Sequence, residues 1–301
     1  MATRVGTVTL PNPVLAASGT AGYGAELGAY MDLSSLGAVV VKSLSPEPWP
    51  GNAAPRLRET VSGMLNSVGL QNGGVPAWLE DHLPALRRAR ARVVASIWGH
   101  DVRAFARAAE LLADAGPEVV AVEVNLSCPN LDGGRHLFAQ SAAETAAVIG
   151  AAAACRRPLW AKLSPNVTDL SVIAAAALGA GAEAVTLVNT VMGMAIDPRR
   201  AALQLGAGGG GLSGPAIHPV AVRAVYECRQ AFPAAGIIGV GGVFRGIDAV
   251  ELLEAGADAL QVGTATFADP RAPARVLAEV ERWCNRAGIR KVTDLIGAAH
   301  A

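Results

Sequence analysis

The sequence predicts an α/β protein, a (β/α)8 TIM barrel in a single domain, and three observations support that fold class. Short apolar runs alternate with helical patterns of roughly ten to fifteen residues, which is typical of βαβ units and a parallel sheet. The apolar runs are continuous, as expected for strands covered on both faces. Eight such runs and eight helical patterns follow one another across residues 1–301 without a repeat, a linker or a block of charge. This alternation fits a barrel better than a doubly wound sheet.

The elements are assigned in chain order from that alternation. Each candidate strand is a run of small or branched apolar residues, which suit a buried sheet. The strands are predicted at Pro13–Ala17, Ala38–Lys42, Arg92–Ile97, Val119–Leu126, Leu159–Leu163, Ala184–Val188, Gly236–Val240 and Ala259–Val262. The helices are predicted near residues 25–34, 76–90, 102–115, 141–155, 168–180, 218–231, 246–255 and 271–287.

Two long irregular stretches interrupt this rhythm. Ser43–Gly74 is rich in proline, and Val191–Pro215 contains the glycine run Gly208–Gly211. Long loops inside a compact domain usually bind ligands or cover a site. We therefore predict that both stretches are lids or binding loops.

Composition excludes several classes of function. The chain has 301 residues, of which 51% are hydrophobic and 17% charged, and its formal net charge is zero. Charge balance gives no electrostatic basis for binding nucleic acid or an anionic membrane surface. The apolar runs are too short to span a bilayer, and the amino terminus has no secretion signal. We expect a cytoplasmic protein.

The cysteines are scattered, with no C-x-x-C pair among Cys128, Cys155, Cys228 and Cys284. Disulfides are not expected in a reducing compartment, and zinc or iron–sulfur ligation would need closer clustering. We predict no metal site. Three of the cysteines fall in helical patterns as packing residues, whereas Cys128 follows an apolar strand and precedes Pro129.

Polar side chains stand at the carboxyl ends of six predicted strands, where a barrel carries its active site. A folding requirement alone does not call for them. They are Ser18, Lys42, Ser43, Ser96, Asn125, Ser127, Cys128, Lys162, Ser164, Asn189 and Thr190.

Glycine turns follow the last two strands, at Gly241-Gly242 and Gly263-Thr264. Glycines let backbone N–H groups approach an anion, and barrel enzymes commonly hold a phosphate at this position. The alternative is that they are ordinary tight turns. Two such turns at these strands favour a phosphate site.

Lys42 and Lys162 each end an apolar run, an unusual place for an ammonium group. A structural salt bridge is one explanation, but no acidic residue ends a neighbouring strand. The lysines therefore favour an anionic or electron-rich ligand, such as a phosphorylated cofactor or a reduced flavin. The amides of Asn66, Asn125, Asn130 and Asn189 are suited to surround a planar ligand with alternating donors and acceptors.

Cys128 is a candidate base or nucleophile. A buried thiol is more often inert, but lysines nearby would favour the thiolate. An unperturbed pKa of about 8.5 suits proton abstraction at neutral to alkaline pH. No histidine stands at a strand end, so a Cys–His hydrolase pair is poorly supported.

A series of motifs runs in order along nearly the whole chain. They are Ala17-Ser18-Gly19, Lys42-Ser43, Asn66-Ser67-Val68-Gly69-Leu70-Gln71-Asn72, Asn125-Leu126-Ser127-Cys128-Pro129-Asn130, Lys162-Leu163-Ser164-Pro165-Asn166-Val167, Gly211-Leu212-Ser213-Gly214-Pro215-Ala216-Ile217 and Phe267-Ala268-Asp269-Pro270. Together they resemble the dihydroorotate dehydrogenase family, specifically its class 1 enzymes and most closely the class 1B catalytic subunit.

The resemblance implies FMN across the barrel mouth, oxidation of dihydroorotate to orotate in de novo pyrimidine biosynthesis, and Cys128 as the base that removes the C5 proton. It implies FMN contacts from Ser18, Lys42, Ser43, Ser96, Asn125, Lys162, Val188, Gly214, Gly241, Gly242, Gly263 and Thr264. It implies substrate contacts from Lys42, Asn66, Val68, Gly69, Leu70, Asn125, Asn130, Asn189 and Thr190.

The resemblance also implies partners. Class 1B enzymes pass electrons to NAD through a subunit that carries FAD and an iron–sulfur cluster, in a heterotetramer, whereas class 1A enzymes are homodimers that use fumarate. Two residues depart from the family pattern, because Ser96 replaces an asparagine and Trp98 is bulkier than usual. They leave open an alternative: a related flavin oxidoreductase acting on another dihydropyrimidine-like or specialised-metabolite substrate.

Overall fold

The computed structural model describes residues 1–128 and 137–300 and contains a closed barrel of eight parallel strands. In chain order, barrel strands 1 to 8 span Val14–Ala16, Ala38–Val40, Val93–Ile97, Val119–Asn125, Leu159–Lys162, Ala184–Leu187, Gly236–Val240 and Ala259–Val262. Each strand pairs with the next, and strand 8 closes on strand 1 through Val262 and Ala16. The predicted (β/α)8 fold class is confirmed, and the predicted strand ends differ from the observed ones by at most two residues.

Helices flank the barrel. The longer ones are Val102–Leu112, Ala142–Ala152, Leu170–Gly179, His218–Ala231, Gly246–Glu254 and Ala272–Ala287. Gly74–Ala77, a π-helical turn at Trp78–His82 and Leu83–Arg88 follow one another as one helical stretch, and Ala265–Ala268 is a short helix. Single 3-10 turns occupy Phe138–Gln140, Ala153–Cys155, Pro215–Ile217, Val292–Leu295 and Ala298–His300. No helix within the described ranges has the length and apolarity needed to cross a membrane.

The helix predicted near residues 25–34 is wrong. Two 3-10 turns, Glu26–Ala29 and Leu33–Ser35, take its place. Asp32 explains the break, because its carboxylate accepts a hydrogen bond from the Ser34 backbone N–H and begins a new turn. Such local side-chain bonds compete with a continuous helix.

Side chains inside the barrel change from apolar to polar along the strands. Leu15, Val40 and Trp160 fill the amino-terminal part, beneath which the hairpin of Thr3–Val5 and Val8–Leu10 packs. Nearer the carboxyl ends the buried interior residues are polar: Ser96, Glu123, Lys162, Thr186 and Gln261. The apolar part therefore supports the barrel, and the buried polar side chains of the interior lie toward the carboxyl ends of the strands.

The two long stretches predicted as loops pair with each other. Their strands form an antiparallel sheet, here called the mouth sheet, in the order Val191–Met194, Gly209–Ser213, Gly63–Asn66 and Leu57–Thr60. A further strand pair joins Ile196–Asp197 to Ala202–Leu203. The prediction that these stretches are irregular is wrong. Glycines conceal the pairing, because glycine gives no hydrophobic alternation that a strand prediction could detect.

Candidate active site

A cavity of about 540 Å³ lies at the carboxyl ends of the barrel strands, with mouth-sheet residues in its wall. That volume is in the range of small-molecule and cofactor sites. The predicted site residues that line it are Ser18, Lys42, Ser43, Asn66, Val68, Gly69, Leu70, Asn125, Lys162, Val188, Asn189, Thr190, Gly214, Gly241, Gly242, Gly263 and Thr264. The fold therefore brings these residues, which are far apart in sequence, around one space.

Two predicted site residues within the described ranges are not among those that line the cavity. Ser96 is fully buried behind Ser43 and shares a 2.9 Å hydrogen bond with its hydroxyl. Cys128 is 1% exposed and lies behind the cavity wall, next to Ser127, which does line the cavity. Asn130 lies outside the described residues.

A chain of hydrogen bonds orients the amides. Asn189 Nδ2 donates to Asn125 Oδ1 at 3.1 Å, and Asn125 Nδ2 donates to Ser43 Oγ at 3.2 Å. Ser43 in turn contacts Ser96, and Ser18 Oγ lies 3.4 Å from Ser43 Oγ. Each amide thus has an assigned direction, with donors and acceptors held on a rigid scaffold.

Lys162 has the acidic partner that the sequence analysis did not find. Its Nζ lies 3.6 Å from Glu123 Oε1 and donates to Gln261 Oε1 at 3.3 Å. Glu123 points into the barrel from the middle of strand 4, so a search of strand ends could not detect it. The available signal was a carboxylate inside the apolar run Val122-Glu123-Val124, since buried charges are paired.

Lys42 is different, because it forms no ion pair within the described ranges. Burial and the neighbouring Lys162 ammonium lower the pKa of Lys42 to about 8. Among the described residues the site has two ammonium groups and one buried carboxylate, and this excess of positive charge favours an anionic ligand.

The glycine turns after strands 7 and 8 also line the cavity. Gly241 and Gly242 have φ of 142° and 69°, which favour glycine. A Cβ on Gly242 would lie 2.6 Å from the His218 Cβ, so close packing also requires glycine there. Both explanations for this turn, packing and ligand access, therefore apply.

The two helix amino termini after these turns differ. The short helix Ala265–Ala268 follows Gly263 and Thr264, which line the cavity. In contrast, Glu279 and Asp248 cap the first turn of Gly246–Glu254, at Gly246 and Arg245. An anion site in this region is therefore best supported at the Gly263-Thr264 turn.

Cys128 has a sequestered thiol. Its Sγ lies 3.2 Å from the Asn125 carbonyl oxygen and 3.3 Å from that of Gly99, so the thiol proton has an acceptor in either direction. Burial raises the pKa of Cys128 to about 12. The backbone here is also fixed, because Ala139 N–H donates to the Leu126 carbonyl oxygen.

Two serines outside the residues that the resemblance assigns to FMN or substrate carry buried hydroxyls at the cavity. Ser67 and Ser127 line the cavity, and their buried Oγ atoms have no hydrogen-bond partner in the part of the chain that the structure describes. A buried hydroxyl without a partner is costly, so a bound molecule with polar edges would stabilise both.

Trp98 lies away from the cavity. Its ring packs edge-on against Trp49 at 5.4 Å and is 2% exposed. Neither Trp98 nor Ser96 lines the cavity. Trp98 therefore adds no surface to the cavity wall, and Ser96, shorter than asparagine, acts on the cavity through its hydrogen bond to Ser43.

Comparison with known proteins identifies the family of the chain. The family model described as "Dihydroorotate dehydrogenase" matches residues 1–283. The chain is 48% identical to the "Dihydroorotate dehydrogenase B (NAD(+)), catalytic subunit" of Desulforudis audaxviator, covering 99% of this chain and 97% of that protein. It is also 48% identical, with the same coverage, to the "Putative dihydroorotate dehydrogenase A (fumarate)" of Solibacter usitatus.

A third relative is the "Dihydroorotate dehydrogenase B (NAD(+)), catalytic subunit" of Trichlorobacter lovleyi, 45% identical over 99% of this chain and 98% of its own length. The match thus extends over both the barrel and the mouth sheet. The chain belongs to the dihydroorotate dehydrogenase family, whose members are flavin-dependent oxidoreductases.

Proposed function

We propose that this enzyme oxidises dihydroorotate to orotate in pyrimidine biosynthesis, with FMN as its bound flavin. The observation that carries the proposal is one cavity in which two lysines, the amides of Asn66, Asn125 and Asn189, and the glycine turns meet. Family membership indicates the class of reaction. The lysine cations and asparagine amides of the cavity are suited to bind an anionic ring with polar edges.

The described residues fit FMN. Gly263, Thr264 and Gly214 offer backbone N–H groups for a phosphate. The Ser213 hydroxyl, which accepts a hydrogen bond from Thr264 Oγ1 at 2.8 Å, would donate its own proton to the phosphate. Lys162 and Ser43 would hold the isoalloxazine ring from the barrel side. When bound, FMN would supply a two-electron acceptor for the hydride that leaves C6 of the substrate.

Lys42 would hold the substrate carboxylate, because it is the cavity cation that lacks a carboxylate partner in the described ranges. Asn66, Asn125 and Asn189 would present amides to the ring nitrogen and carbonyl groups of dihydroorotate. We assign Asn130 to the same role from the family resemblance alone, since it lies outside the described residues.

Cys128 would take the C5 proton. Among the described cavity-lining residues there is no His, Asp or Glu that could act as the base. The two lysines are assigned to binding the substrate carboxylate and the flavin ring. Cys128 adjoins the cavity-lining Ser127. The reaction requires its thiolate to face the substrate, so the thiol must leave the carbonyl oxygens of Asn125 and Gly99.

The relatives differ in the electron acceptor that their names specify, which is NAD(+) for some and fumarate for another. We propose the class 1B arrangement, with a partner subunit that carries FAD and an iron–sulfur cluster around a homodimer core. In this arrangement the cluster belongs to the partner subunit, and the described Cys155, Cys228 and Cys284 of this chain are buried packing residues.

The test starts with the flavin itself. The purified chain should be yellow and release FMN, and anaerobic dihydroorotate should bleach it. Reoxidation is then followed with fumarate and with NAD, each with and without the reductase subunit. NAD reduction only with the subunit supports class 1B, whereas reoxidation by fumarate alone supports class 1A. A folded, colourless protein that binds no added FMN would exclude the proposal.

A further inference from the structure

The Glu123 carboxylate is buried inside the barrel below the cavity floor. The residue has no exposed surface and does not line the cavity. Its Oε2 accepts hydrogen bonds from Gln261 Nε2 at 2.6 Å and from Thr186 Oγ1 at 3.1 Å. The other carboxylate oxygen, Glu123 Oε1, accepts no hydrogen bond from the described residues. It faces the Lys162 ammonium at 3.6 Å. A carboxylate in such a place requires a cation.

Lys162 connects this network to the cavity. It lines the cavity, whereas Glu123, Thr186 and Gln261 do not. An ammonium has three N–H donors, and Gln261 and Glu123 occupy two directions around Nζ from below. The four side chains project from barrel strands 4, 5, 6 and 8, so the ammonium is held by rigid elements on several sides.

The two cavity lysines therefore differ in charge compensation. Lys42 has no carboxylate partner in the described residues, while Glu123 offsets much of the charge of Lys162. A ring stacked in the cavity would meet one full cation and one compensated cation. Loss of Glu123 would convert the second into a full cation.

We propose that Glu123 is a positioning residue that holds the Lys162 ammonium and sets the reduction potential of the bound flavin. The inference rests on the proposed function, because it requires a flavin in this cavity. Reduction adds negative charge to the ring, and a nearby uncompensated cation favours that state. Glu123 therefore keeps the flavin harder to reduce than two free lysines would make it.

Glu123→Gln tests this directly, since it removes the charge and preserves the shape. The readout is the flavin midpoint potential at about pH 6.5, which is below the pKa of about 8 for Lys42. We expect the ratio of reduced to oxidised flavin at a fixed potential to rise about tenfold, which is about 30 mV for a two-electron couple. Thr186→Val is the matched control: it removes one neutral hydrogen bond to Glu123, and we expect its potential to remain that of the wild type.

A second pair of variants keeps the test decisive if Glu123→Gln does not fold. Lys162→Met should lower the potential, and adding Glu123→Gln to it should return the potential toward the wild-type value, because both charges are then gone. A purely structural role for Glu123 predicts no such opposite shifts.

The outcomes separate this inference from the proposed function. Equal potentials in wild type and Glu123→Gln, or no recovery in the double variant, would overturn the role of Glu123. If dihydroorotate still bleaches the wild-type flavin, the proposed function stands. A wild-type protein that cannot hold a flavin would overturn both.

Discussion

At the scale of single residues, burial of Cys128 determines how the rate should depend on pH. Because burial raises the pKa of this thiol to about 12, the thiol is protonated at neutral pH, and the thiolate fraction increases with pH. We expect the limiting rate of flavin reduction at saturating dihydroorotate to rise steadily between about pH 6 and pH 9. A stopped-flow profile that is flat across this interval would argue against Cys128 as the base.

Lys42 should give substrate binding the opposite pH dependence. Its lowered pKa of about 8, caused first by burial and then by Lys162, means that its charge is present below that pH and lost above it. Orotate affinity, measured from the flavin spectrum, should therefore weaken above about pH 8. The Lys42→Met variant should bind orotate weakly at every pH. In Lys162→Met the pH at which orotate affinity is half lost should rise, because removal of the Lys162 charge raises the pKa of Lys42.

At the scale of elements, the mouth sheet holds the substrate residues in register. Gly211 pairs with Met192 on one side and Asn66 on the other. A Cβ on Gly211 would overlap the Thr190 side chain, whereas one on Gly193 would meet only a flexible Leu65 methyl group at 3.0 Å. Gly211→Ala should weaken orotate binding about tenfold or more, and Gly193→Ala, the matched control, should change it little. Equal affinities in the two variants would show that Thr190 does not contact the substrate.

Sequence patterns predicted the barrel more accurately than the mouth sheet, for a physical reason. Barrel strands buried on both faces are continuous apolar runs, and polar residues at their ends have few roles other than binding, so Lys42 and Asn125 were identifiable. The mouth sheet pairs Asn66 with Gly211, far apart in the chain, through backbone bonds that side chains do not reveal. Glu123 was missed because it lies within its strand and not at the strand end, where acidic partners were expected.

At the scale of the whole molecule, an apolar surface beside the mouth sheet bears on assembly. Met192, Met194, Ile196 and Leu203 are between 54% and 64% exposed. Clusters of exposed apolar side chains commonly mark interfaces, and the family resemblance implies a homodimer core. We expect light scattering of the wild type to give the mass of a dimer. The Ile196→Asp variant should have the mass of a single chain. Val172→Asp, on the exposed face of Leu170–Gly179, is the control and should leave the mass unchanged.

The central claim is that this cavity oxidises dihydroorotate with Cys128 as the base. Its most direct test is an anaerobic single-turnover experiment at neutral pH that records flavin bleaching and orotate formation together. The wild type should bleach fully and form one orotate for each flavin, and Cys128→Ser should slow bleaching by about 10²–10⁴-fold while it still binds orotate. A Cys128→Ser variant that bleaches at the wild-type rate would contradict the claim.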